Sequence, residues 1–514
     1  MPGQWSEPQG AARPWKDGRV NLARWSRRQS WTVAGVLLAV IVLAAAAIFV
    51  WPQLMGTSSA GGDGSTSGTT NSAQAGGGTS DAGTGGVVAV KPDPPVTPAT
   101  LQIRPMTPSA QAPTAAGVAA QLAKPLADKD VADLSGLVID PVTGHVLWDQ
   151  DSASPRVPAS SMKLLTGAAL LASADPNKRL VTKVVLGADP GQIVFVGGGD
   201  VTLSARPAGA GTVLPGGPMV ADLAAQIKAA GVDVTSIVLD TSYWAGPEMA
   251  EGWNAEDIQG TPQAAQGYIT KMQALMVDAD RTDPANENSP RTGEPAMTAG
   301  KALAHALGKD DIPISEETAP ADAKVIAKVE SQPLSTLLAQ ALENSDNILS
   351  EALAREVAIA RGAPPTFAGV SAAFLQALED LGLDTAGVVV KDGSGMSGGD
   401  KVPPALLGKV MAMAVAGKPA EQSVLLTGLP LAGVSGTLAE NDRFTQPETK
   451  AGRGWVRAKT GSLNATYALV GYVPDTDGRI LVFAFNSNGV TGNQSRYAQD
   501  ALATALRLCG CSGS

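Results

Sequence analysis

The chain has 514 residues, of which 44% are hydrophobic, 17% charged and 4% aromatic, and its formal net charge is −10. A chain of this length is expected to fold as more than one unit and has enough apolar residues for a sizeable core. The acidic balance and the lack of a long basic run in the C-terminal four-fifths argue against nucleic-acid binding. The low aromatic content argues against a surface on which bases stack.

The first predicted element is an apolar segment at 31–51, WTVAGVLLAVIVLAAAAIFVW, which carries no charged residue. As a helix it would be about 30 Å long, the thickness of a hydrocarbon core, with a tryptophan at each end. Residues 1–30 contain six Lys and Arg residues against two acidic ones, so the positive-inside rule places them in the cytoplasm. We therefore expect a cytoplasmic tail (1–30), an uncleaved single-pass membrane anchor (31–51) and an extracytoplasmic remainder. A cleaved signal peptide is the alternative, but the apolar run is long for one and no A-x-A site follows it.

A spacer follows the predicted anchor. Residues 52–112 consist mainly of Gly, Ser, Thr, Ala and Pro without periodicity, which predicts a flexible linker that stiffens where prolines accumulate. At the other end of the chain, Cys509 and Cys511 are the only cysteines. They are too few for a metal site, and a local disulfide in a frayed tail is the expectation for an extracytoplasmic protein.

The ordered part begins near residue 113 and mixes strands with helices. Two strands around a turn are predicted within 134–151, a helix over 160–173, and alternating strands and helices from about 180 to 325. The later predictions are two helices within 331–362, three antiparallel strands within 454–489 and a final helix over 494–509.

Three short motifs occur in a fixed order: Ser160–Lys163 (S-x-x-K), Ser345–Asn347 (S-D-N) and Lys459–Gly461 (K-T-G). On a helix, S-x-x-K places the serine oxygen and the lysine amine on one face, one turn apart. A lysine held in a dry pocket near another cation can lose its charge and act as a base, so no histidine is needed. The S-D-N motif offers a second hydroxyl and an amide, and K-T-G on an edge strand offers a cation and a hydroxyl for a substrate carboxylate.

Each motif taken alone has an ordinary structural interpretation. Ser160 is a suitable helix N-cap, Ser345 a suitable cap between two helices, and Lys459 a suitable solvated lysine on an edge strand. The order of the three motifs and the elements on which they lie favour a catalytic role instead, because this motif set is the one found in penicillin-recognising serine enzymes. A metal site is not expected, since His145 and His305 are the only histidines and neither lies in an H-E-x-x-H context.

The motifs and several longer stretches resemble the low-molecular-mass class C penicillin-binding proteins, the D-alanyl-D-alanine carboxypeptidase/endopeptidase group of peptidase family S13. The resemblance runs from about 115 to 506 and includes PASSMKLLTGAALL, FVGGGDVTL, SQPLSTLLAQALENSDN, VKDGSGMS, LPLAGVSGTL and RAKTGSLNATYALVGYV. It implies an α/β (α+β) fold, in which a β-lactamase/transpeptidase-like domain with an antiparallel sheet and helices is encoded in two pieces, 113–180 and 326–508. An accessory insertion at 181–325 would fill the long gap between the first two motifs. Class A β-lactamases have a much shorter gap and a deacylating glutamate that has no evident counterpart in this sequence.

The resemblance also assigns roles to the motif residues. Ser160 would form the acyl-enzyme, with Lys163 as its general base. Ser345 would relay a proton to the leaving D-alanine, Asn347 would hold the peptide carbonyl, and Lys459 would support Ser345. The remaining predicted substrate-binding residues are Thr460 for the terminal carboxylate, Gly461, and Ser462, whose amide would join that of Ser160 as an oxyanion donor.

The predicted function is therefore that of a membrane-anchored serine D-Ala-D-Ala carboxypeptidase acting on peptidoglycan stem peptides, with β-lactams as covalent inhibitors and no cofactor. Carboxypeptidase and additional endopeptidase activity both remain open, because each cuts after a D-alanine. A non-catalytic β-lactam or muropeptide receptor on the same scaffold is the alternative, although thirty residues are few for a signalling tail. A structural wall-binding protein with inactive motifs is a third hypothesis, against which the intact serine and lysines argue.

Overall fold

The computed structural model describes residues 111–261, 264–439, 443–489 and 493–511. The predicted cytoplasmic tail, the predicted membrane anchor at 31–51 and almost all of the predicted linker lie outside the described residues. Within those residues, the search for a helix of sufficient length and apolarity to cross a bilayer found none.

The described part of the chain contains both strands and helices, interspersed along the sequence. The strands are β1 (Asp133–Ile139), β2 (Val146–Gln150), β3 (Arg179–Leu186), β4 (Gln192–Val196), β5 (Ser236–Asp240), β6 (Ile314–Glu316), β7 (Val325–Pro333), β8 (Arg457–Leu463), β9 (Thr466–Pro474) and β10 (Ile480–Asn488). The helices are α1 (Ala115–Leu126), α2 (Met162–Ser173), α3 (Val220–Ala229), α4 (Glu256–Gln259), α5 (Pro295–Leu307), α6 (Leu334–Glu343), α7 (Asn347–Ala360), α8 (Phe367–Asp380), α9 (Pro404–Ala416) and α10 (Gln494–Arg507).

The first sheet joins the two ends of the described chain. Its five strands, counted among the described residues, run in the order β2-β1-β10-β9-β8, and all neighbours are antiparallel. Alternate residues of β10 enter different cores, because side chains on a strand point to opposite faces. Phe483 and Phe485 pack with α1 and α10, whereas Val482 and Ala484 pack with α2 and α9. The sheet therefore has helices on both faces and leaves β8 at its edge.

Helix α2 lies in the middle of the larger core. Every residue from Met162 to Leu171 is buried, and the helix packs among α6, α7, α8 and α9. A helix that is apolar on all sides is expected to be buried on all sides. Residues 162–171 of α2, MKLLTGAALL, are apolar on all sides except at Lys163 and Thr166. The first turn of this helix is consequently a rigid place for a reactive group.

The second sheet is built from residues 179–333 and has the order β6-β5-β4-β3-β7 among the described strands. Strands β4, β5 and β6 are parallel, while β3 is antiparallel to both of its neighbours. Helices α3 and α5 cover one face and form a separate apolar core with it. The sheet extends slightly beyond the predicted insertion at 181–325, and the separate folding of that insertion stays a prediction.

The C-terminal segment differs from the expected frayed tail. Cys509 and Cys511 form a disulfide, and both are buried. The amide of Thr114 donates to the carbonyl oxygen of Cys511 at 3.2 Å, so the segment is fixed against the start of α1. The predicted pairing of the two cysteines is present, but in a packed segment.

Candidate active site

Ser160 lies in a tight turn immediately before α2. Residues Ala159–Ser161 form one turn of 3₁₀ helix, and Ala159 has a φ of 48°, a strained value for a residue other than glycine. Ser161, not Ser160, occupies the N-cap position of α2, and its side chain makes no capping bond. The Oγ of Ser160 instead accepts a hydrogen bond from Lys163 Nζ at 3.0 Å. The helix-cap interpretation of Ser160 is therefore wrong.

Lys163 is buried and has three hydrogen-bond partners around its amine. Only 1% of the residue is exposed. Its Nζ lies 3.0 Å from Ser160 Oγ, 2.7 Å from Asn347 Oδ1 and 2.7 Å from the Ser394 carbonyl oxygen. The last two groups cannot donate, so they take the two N–H bonds of a neutral amine. The amine lone pair then faces the one partner that has a proton to give, the hydroxyl of Ser160.

The lowered pKa of Lys163 makes this neutral form more accessible than it is for an ordinary lysine. Burial lowers the pKa of Lys163 to about 8, while nearby carboxylates, those of Asp392, Asp346, Glu351 and Asp400, act in the opposite direction. Of the two causes expected from the sequence, a dry pocket and a neighbouring cation, the first is the main cause, and the charged groups named here are all acidic. A lysine with this pKa is a suitable general base near neutral pH.

Ser345 lies in the short loop between α6 and α7 and has a φ of 55°. The cap of α7 is its neighbour Asp346, whose Oδ1 accepts from the Leu349 amide at 2.8 Å. The Oγ of Ser345 accepts from Lys459 Nζ at 2.8 Å. Ser345 is therefore the partner of a buried lysine and does not cap the helix.

Asn347 is oriented by contacts at both ends of its amide. Its Oδ1 accepts from Lys163, and its Nδ2 donates to the carbonyl oxygen of Tyr268 at 3.0 Å. The contact to Tyr268, a residue of the predicted insertion, fixes which end of the amide faces the base. One hydrogen of Nδ2 remains for a ligand carbonyl.

The K-T-G motif lies on β8, the edge strand of the first sheet, as the sequence predicts. Lys459 is completely buried, which rules out the solvated-lysine interpretation. The hydroxyl of Thr460 lies 2.8 Å from that of Thr437. A Cβ on Gly461 would lie 2.9 Å from the Pro158 carbonyl oxygen, so only glycine lets β8 approach the turn that carries Ser160.

The motif residues share one cleft of about 180 Å³. Ser160, Ser345, Asn347, Thr460 and Ser462 line it, and the two motif lysines reach it through their bonds to Ser160 and Ser345. Further lining residues come from the insertion and from the C-terminal part: Gly267, Tyr268, Arg281, Glu287, Asn288, Arg291, Asn344, Asp346, Met396, Thr437, Arg443 and Arg496. The fold therefore brings all three motifs to one place.

Some residues of this site were not predicted from the sequence. The Ser394 carbonyl belongs to the stretch VKDGSGMS, which was recognised as a matching segment but given no role. Asp392 accepts hydrogen bonds from three amides of this stretch, and Gly395, with a φ of 81°, packs directly on Ala159. The run Asp392-Gly-Ser-Gly395 consists of residues that favour turns, so a tight loop could have been predicted here from the sequence.

The two histidines lie away from this cleft. His145 is exposed at the start of β2, and the ring of His305 lies 3.0 Å from the carboxylate of Asp310 on the surface of α5. Neither contributes to the lining of the cleft.

The sequence matches the model of the D-Ala-D-Ala carboxypeptidase 3 (S13) family over residues 118–299 and 289–508. Among similar proteins, carboxypeptidase Rv3627c of Mycobacterium tuberculosis is 42% identical over 425 residues, covering 82% of this chain and 90% of that protein. Carboxypeptidase DacB of Mycolicibacterium smegmatis is 43% identical over 430 residues, covering 82% and 91%.

The fold is also similar to a solved structure. The crystal structure of penicillin binding protein 4 (dacB) from Haemophilus influenzae superposes with a TM-score of 0.61 at 19% identity, covering 75% of this chain and 97% of that one. The same protein complexed with a novel β-lactam gives a TM-score of 0.54 at 18% identity, covering 75% and 98%.

Proposed function

The chain belongs to the D-Ala-D-Ala carboxypeptidase 3 (S13) family and is a D-Ala-D-Ala carboxypeptidase, and we propose that it works through an acyl-serine intermediate formed on Ser160. The observation that carries this mechanism is the pair of acceptors on Lys163 Nζ, Asn347 Oδ1 and the Ser394 carbonyl oxygen, which in a neutral amine leaves the lone pair for the Ser160 hydroxyl 3.0 Å away.

In the acylation step, Ser160 Oγ attacks the carbonyl carbon of the penultimate D-alanine while its proton passes to Lys163 Nζ. The 3.0 Å separation of the two atoms suits a direct transfer. The negative charge that develops on the carbonyl oxygen would be held by the amides of Ser160 and Ser462, both of which line the cleft.

The second hydroxyl–amine pair serves the leaving group. Breaking the peptide bond releases the amine of the terminal D-alanine, which must gain a proton. Ser345 Oγ accepts a hydrogen bond from Lys459 Nζ at 2.8 Å, and both Ser345 and Ser160 line the cleft. Ser345 would pass its own proton to the amine and take in return the proton that Lys163 gained from Ser160. The charge of Lys459 would support that transfer. Lys163, neutral again, could then accept a proton from the attacking water. Attack of water on the acyl-serine then completes the hydrolysis.

The remaining motif residues hold the substrate. The hydroxyl of Thr460 and the positive charge of Lys459 suit the terminal carboxylate of a D-Ala-D-Ala peptide. Asn347 has one amide hydrogen left for the peptide carbonyl on the acyl side. An extended peptide can also pair with β8, because this strand is the edge of its sheet. Peptidoglycan stem peptides present all of these groups.

Penicillin is the corresponding inhibitor in this proposal. A β-lactam presents a strained amide and a carboxylate in the place of the D-Ala-D-Ala terminus, and its leaving amine stays attached after the ring opens. The tethered amine blocks water, so the acyl-enzyme should be long-lived. The complex of the Haemophilus influenzae protein with a β-lactam supports the same use of this fold.

Intact-mass measurement after incubation with penicillin tests the assignment of the nucleophile. We expect one adduct, mapped by peptide sequencing to the peptide that contains Ser160, and Ser160→Ala should abolish it. Ser161→Ala is the matched control, because Ser161 is the adjacent serine and its Oγ donates only to the Pro158 carbonyl oxygen. An adduct that persists in Ser160→Ala contradicts the proposal. Release of D-alanine from a D-Ala-D-Ala peptide by the unlabelled protein separates an enzyme from a receptor.

We further propose that residues 31–51 anchor this enzyme in the cell membrane with the active site on the extracytoplasmic side. The support is the uncharged length of that segment and the excess of Lys and Arg before it. A protease added to cells stripped of their wall should digest the region beyond residue 51 and leave a tag at the N-terminus intact. Digestion of that tag would contradict this topology.

A further inference from the structure

Two strained backbone segments from distant parts of the chain meet beside the second motif. Ser345 has a φ of 55°. In the predicted insertion, three consecutive residues, Asp278, Ala279 and Asp280, have φ values of 50°, 49° and 61°. Each left-handed non-glycine residue costs free energy, so such a run persists only where the surroundings impose it.

The run at 278–280 is held by its own two carboxylates. Asp278 accepts from the Ser204 hydroxyl at 2.7 Å and from the Ala205 amide at 3.0 Å. Asp280 accepts from the Thr270 hydroxyl at 2.5 Å and from the Gly293 amide at 2.9 Å. These contacts tie the run to loops on both sides of it and fix the direction in which the next residue, Arg281, leaves.

Arg281 reaches the motif through a buried ion pair. Its Nη2 lies 2.5 Å from Asp346 Oδ2, and the two side chains are each only 2% exposed. Burial opposes the ionisation of Asp346, but the charge of Arg281 and the hydrogen bonds from Leu349 and Arg281 outweigh it, so the pKa of Asp346 lies below its usual value. Asp346 is therefore held in its ionised form in the folded protein.

Asp346 is the residue between the two functional members of the motif. With one oxygen it caps α7, and with the other it accepts from Arg281. Asn347 contacts Lys163, and Ser345 contacts Lys459, through bonds of 2.7 and 2.8 Å. A movement of Asp346 would lengthen both bonds together, and catalytic groups lose much of their effect when they are displaced by even about 1 Å.

We propose that Arg281 is a positioning residue for Ser345 and Asn347, through which the insertion completes the active site rather than merely lying beside it. The proposal rests on the acyl-serine mechanism proposed above. It concerns acylation by Ser160: Arg281 lines the cleft, but its Nη2 is bound to Asp346, and the role assigned to it is to hold Asp346 in place.

The chain contains a matched control for this ion pair. Arg479 and Asp140 form a pair with an Nη2–Oδ2 distance of 2.6 Å, and their side chains are 4% and 1% exposed. The pair joins the turn after β1 to the turn between β9 and β10, and neither residue lines the catalytic cleft. Arg479→Met therefore breaks a buried ion pair of the same type without touching the motifs.

The test measures the unfolding temperature and the acylation kinetics of the full-length protein with a fluorescent penicillin. Both Arg281→Met and Arg479→Met should lower the unfolding temperature, because each leaves a buried carboxylate unpaired. Arg281→Met should also reduce the maximal acylation rate of the folded protein about hundredfold, with a smaller change in the penicillin concentration needed for half of that rate. Arg479→Met should leave the acylation rate within about twofold of the unsubstituted protein.

Two further variants keep the test decisive if Arg281→Met folds poorly. Arg281→Lys keeps the charge and should recover part of the acylation rate. The double variant Arg281→Met/Asp346→Asn keeps a capping oxygen for α7 and removes both charges of the pair, so it should regain part of the unfolding temperature. Its acylation should remain at least about tenfold slower than that of the unsubstituted protein, because the ion pair that joins the insertion to the second motif is still missing.

The outcomes separate the two proposals. Recovery of the acylation rate together with the unfolding temperature in the double variant would overturn the positioning role, as would a folded Arg281→Met protein that is acylated at the normal rate. If the unsubstituted protein itself takes up no penicillin, the acyl-serine mechanism fails first.

Discussion

The active site contains two hydroxyl–amine pairs with almost the same geometry. Lys163 Nζ lies 3.0 Å from Ser160 Oγ, and Lys459 Nζ lies 2.8 Å from Ser345 Oγ. Both lysines are buried. Distance and burial alone therefore do not decide which serine is the nucleophile and which lysine is its base.

The surroundings distinguish the two pairs. Ser160 lies in the rigid turn before α2, next to the predicted oxyanion donors, and Lys163 gives its other hydrogens to Asn347 and to the Ser394 carbonyl. Lys459 instead donates to the carbonyl oxygen of its own neighbour Thr460 and lies on the edge strand, beside the position proposed for the substrate carboxylate. The first pair suits proton removal, and the second suits the stabilisation of negative charge and the return of a proton.

The largest effect on this comparison is expected from Lys163→Ala. Removal of the base with the nucleophile still present should slow acylation by penicillin about a thousandfold, within the range of general-base effects. Stopped-flow labelling would measure the rate, and the unfolding temperature would show that the protein is folded. Labelling at the normal rate in this variant would mean that Lys459, and not Lys163, takes the proton of Ser160.

The pH dependence of acylation should show the same asymmetry. Lys163 must be neutral to act as a base, and burial lowers its pKa to about 8. As the pH falls below this value, Lys163 gains a proton, and the acylation rate should fall about tenfold per pH unit. Because Lys163 is already half protonated at pH 8, the drop between pH 8 and pH 6 should be about fiftyfold, measured with a buffer series at constant ionic strength.

A control variant assigns this fall in rate at low pH, the acidic limb of the pH profile, to one of the two lysines. Ser345→Ala removes the partner of Lys459 and leaves the bond between Lys163 and Ser160 in place, so its acidic limb should stay near pH 8. A limb that disappears in Ser345→Ala would show that the titration belongs to the second pair or to both pairs together.

Substitution of the second lysine should have a smaller effect than substitution of the first. Lys459→Ala removes a charged hydrogen bond to Ser345, and such bonds contribute roughly 1.5–3 kcal/mol, which corresponds to about ten- to a hundredfold in rate. Release of D-alanine from a D-Ala-D-Ala peptide should fall more than acylation by penicillin, because a β-lactam keeps its leaving group attached. Equal losses with both substrates would contradict a leaving-group role for the second pair.

The same contrast explains what the sequence could predict. The bond between Ser160 and Lys163 spans three residues, so the S-x-x-K spacing on a predicted helix was enough to anticipate it. The bond between Ser345 and Lys459 spans 114 residues, and only the resemblance to a known family suggested that the two belong together. The edge position of β8 followed from the C-terminal run of strands, whereas the burial of Lys459 did not.

The contributions of the insertion were beyond prediction from the sequence for a physical reason. Tyr268 enters the site through its backbone carbonyl, a group that every residue possesses and that leaves no mark in a sequence. Arg281 acts through a tertiary ion pair and a run of left-handed residues at 278–280 that contains no glycine. None of the stretches that carry the family resemblance lies within 267–284, the segment that contains both residues.

The smallest effect is expected at the carboxylate end of the second pair. Thr460→Val removes a hydroxyl proposed to donate to the substrate carboxylate and leaves the Lys459 charge in place, so we expect a loss of about tenfold in the second-order rate of penicillin capture, or about 1.4 kcal/mol. Thr504→Val is the matched control, because Thr504 is buried in α10 and its hydroxyl donates to the Thr449 carbonyl oxygen, outside the cleft. The loss should appear in the penicillin concentration that gives half the maximal rate, since the carboxylate is bound before the ring opens. If Thr460→Val and Thr504→Val reduce capture equally, Thr460 contributes only to folding, and the carboxylate must be held by other groups of the cleft.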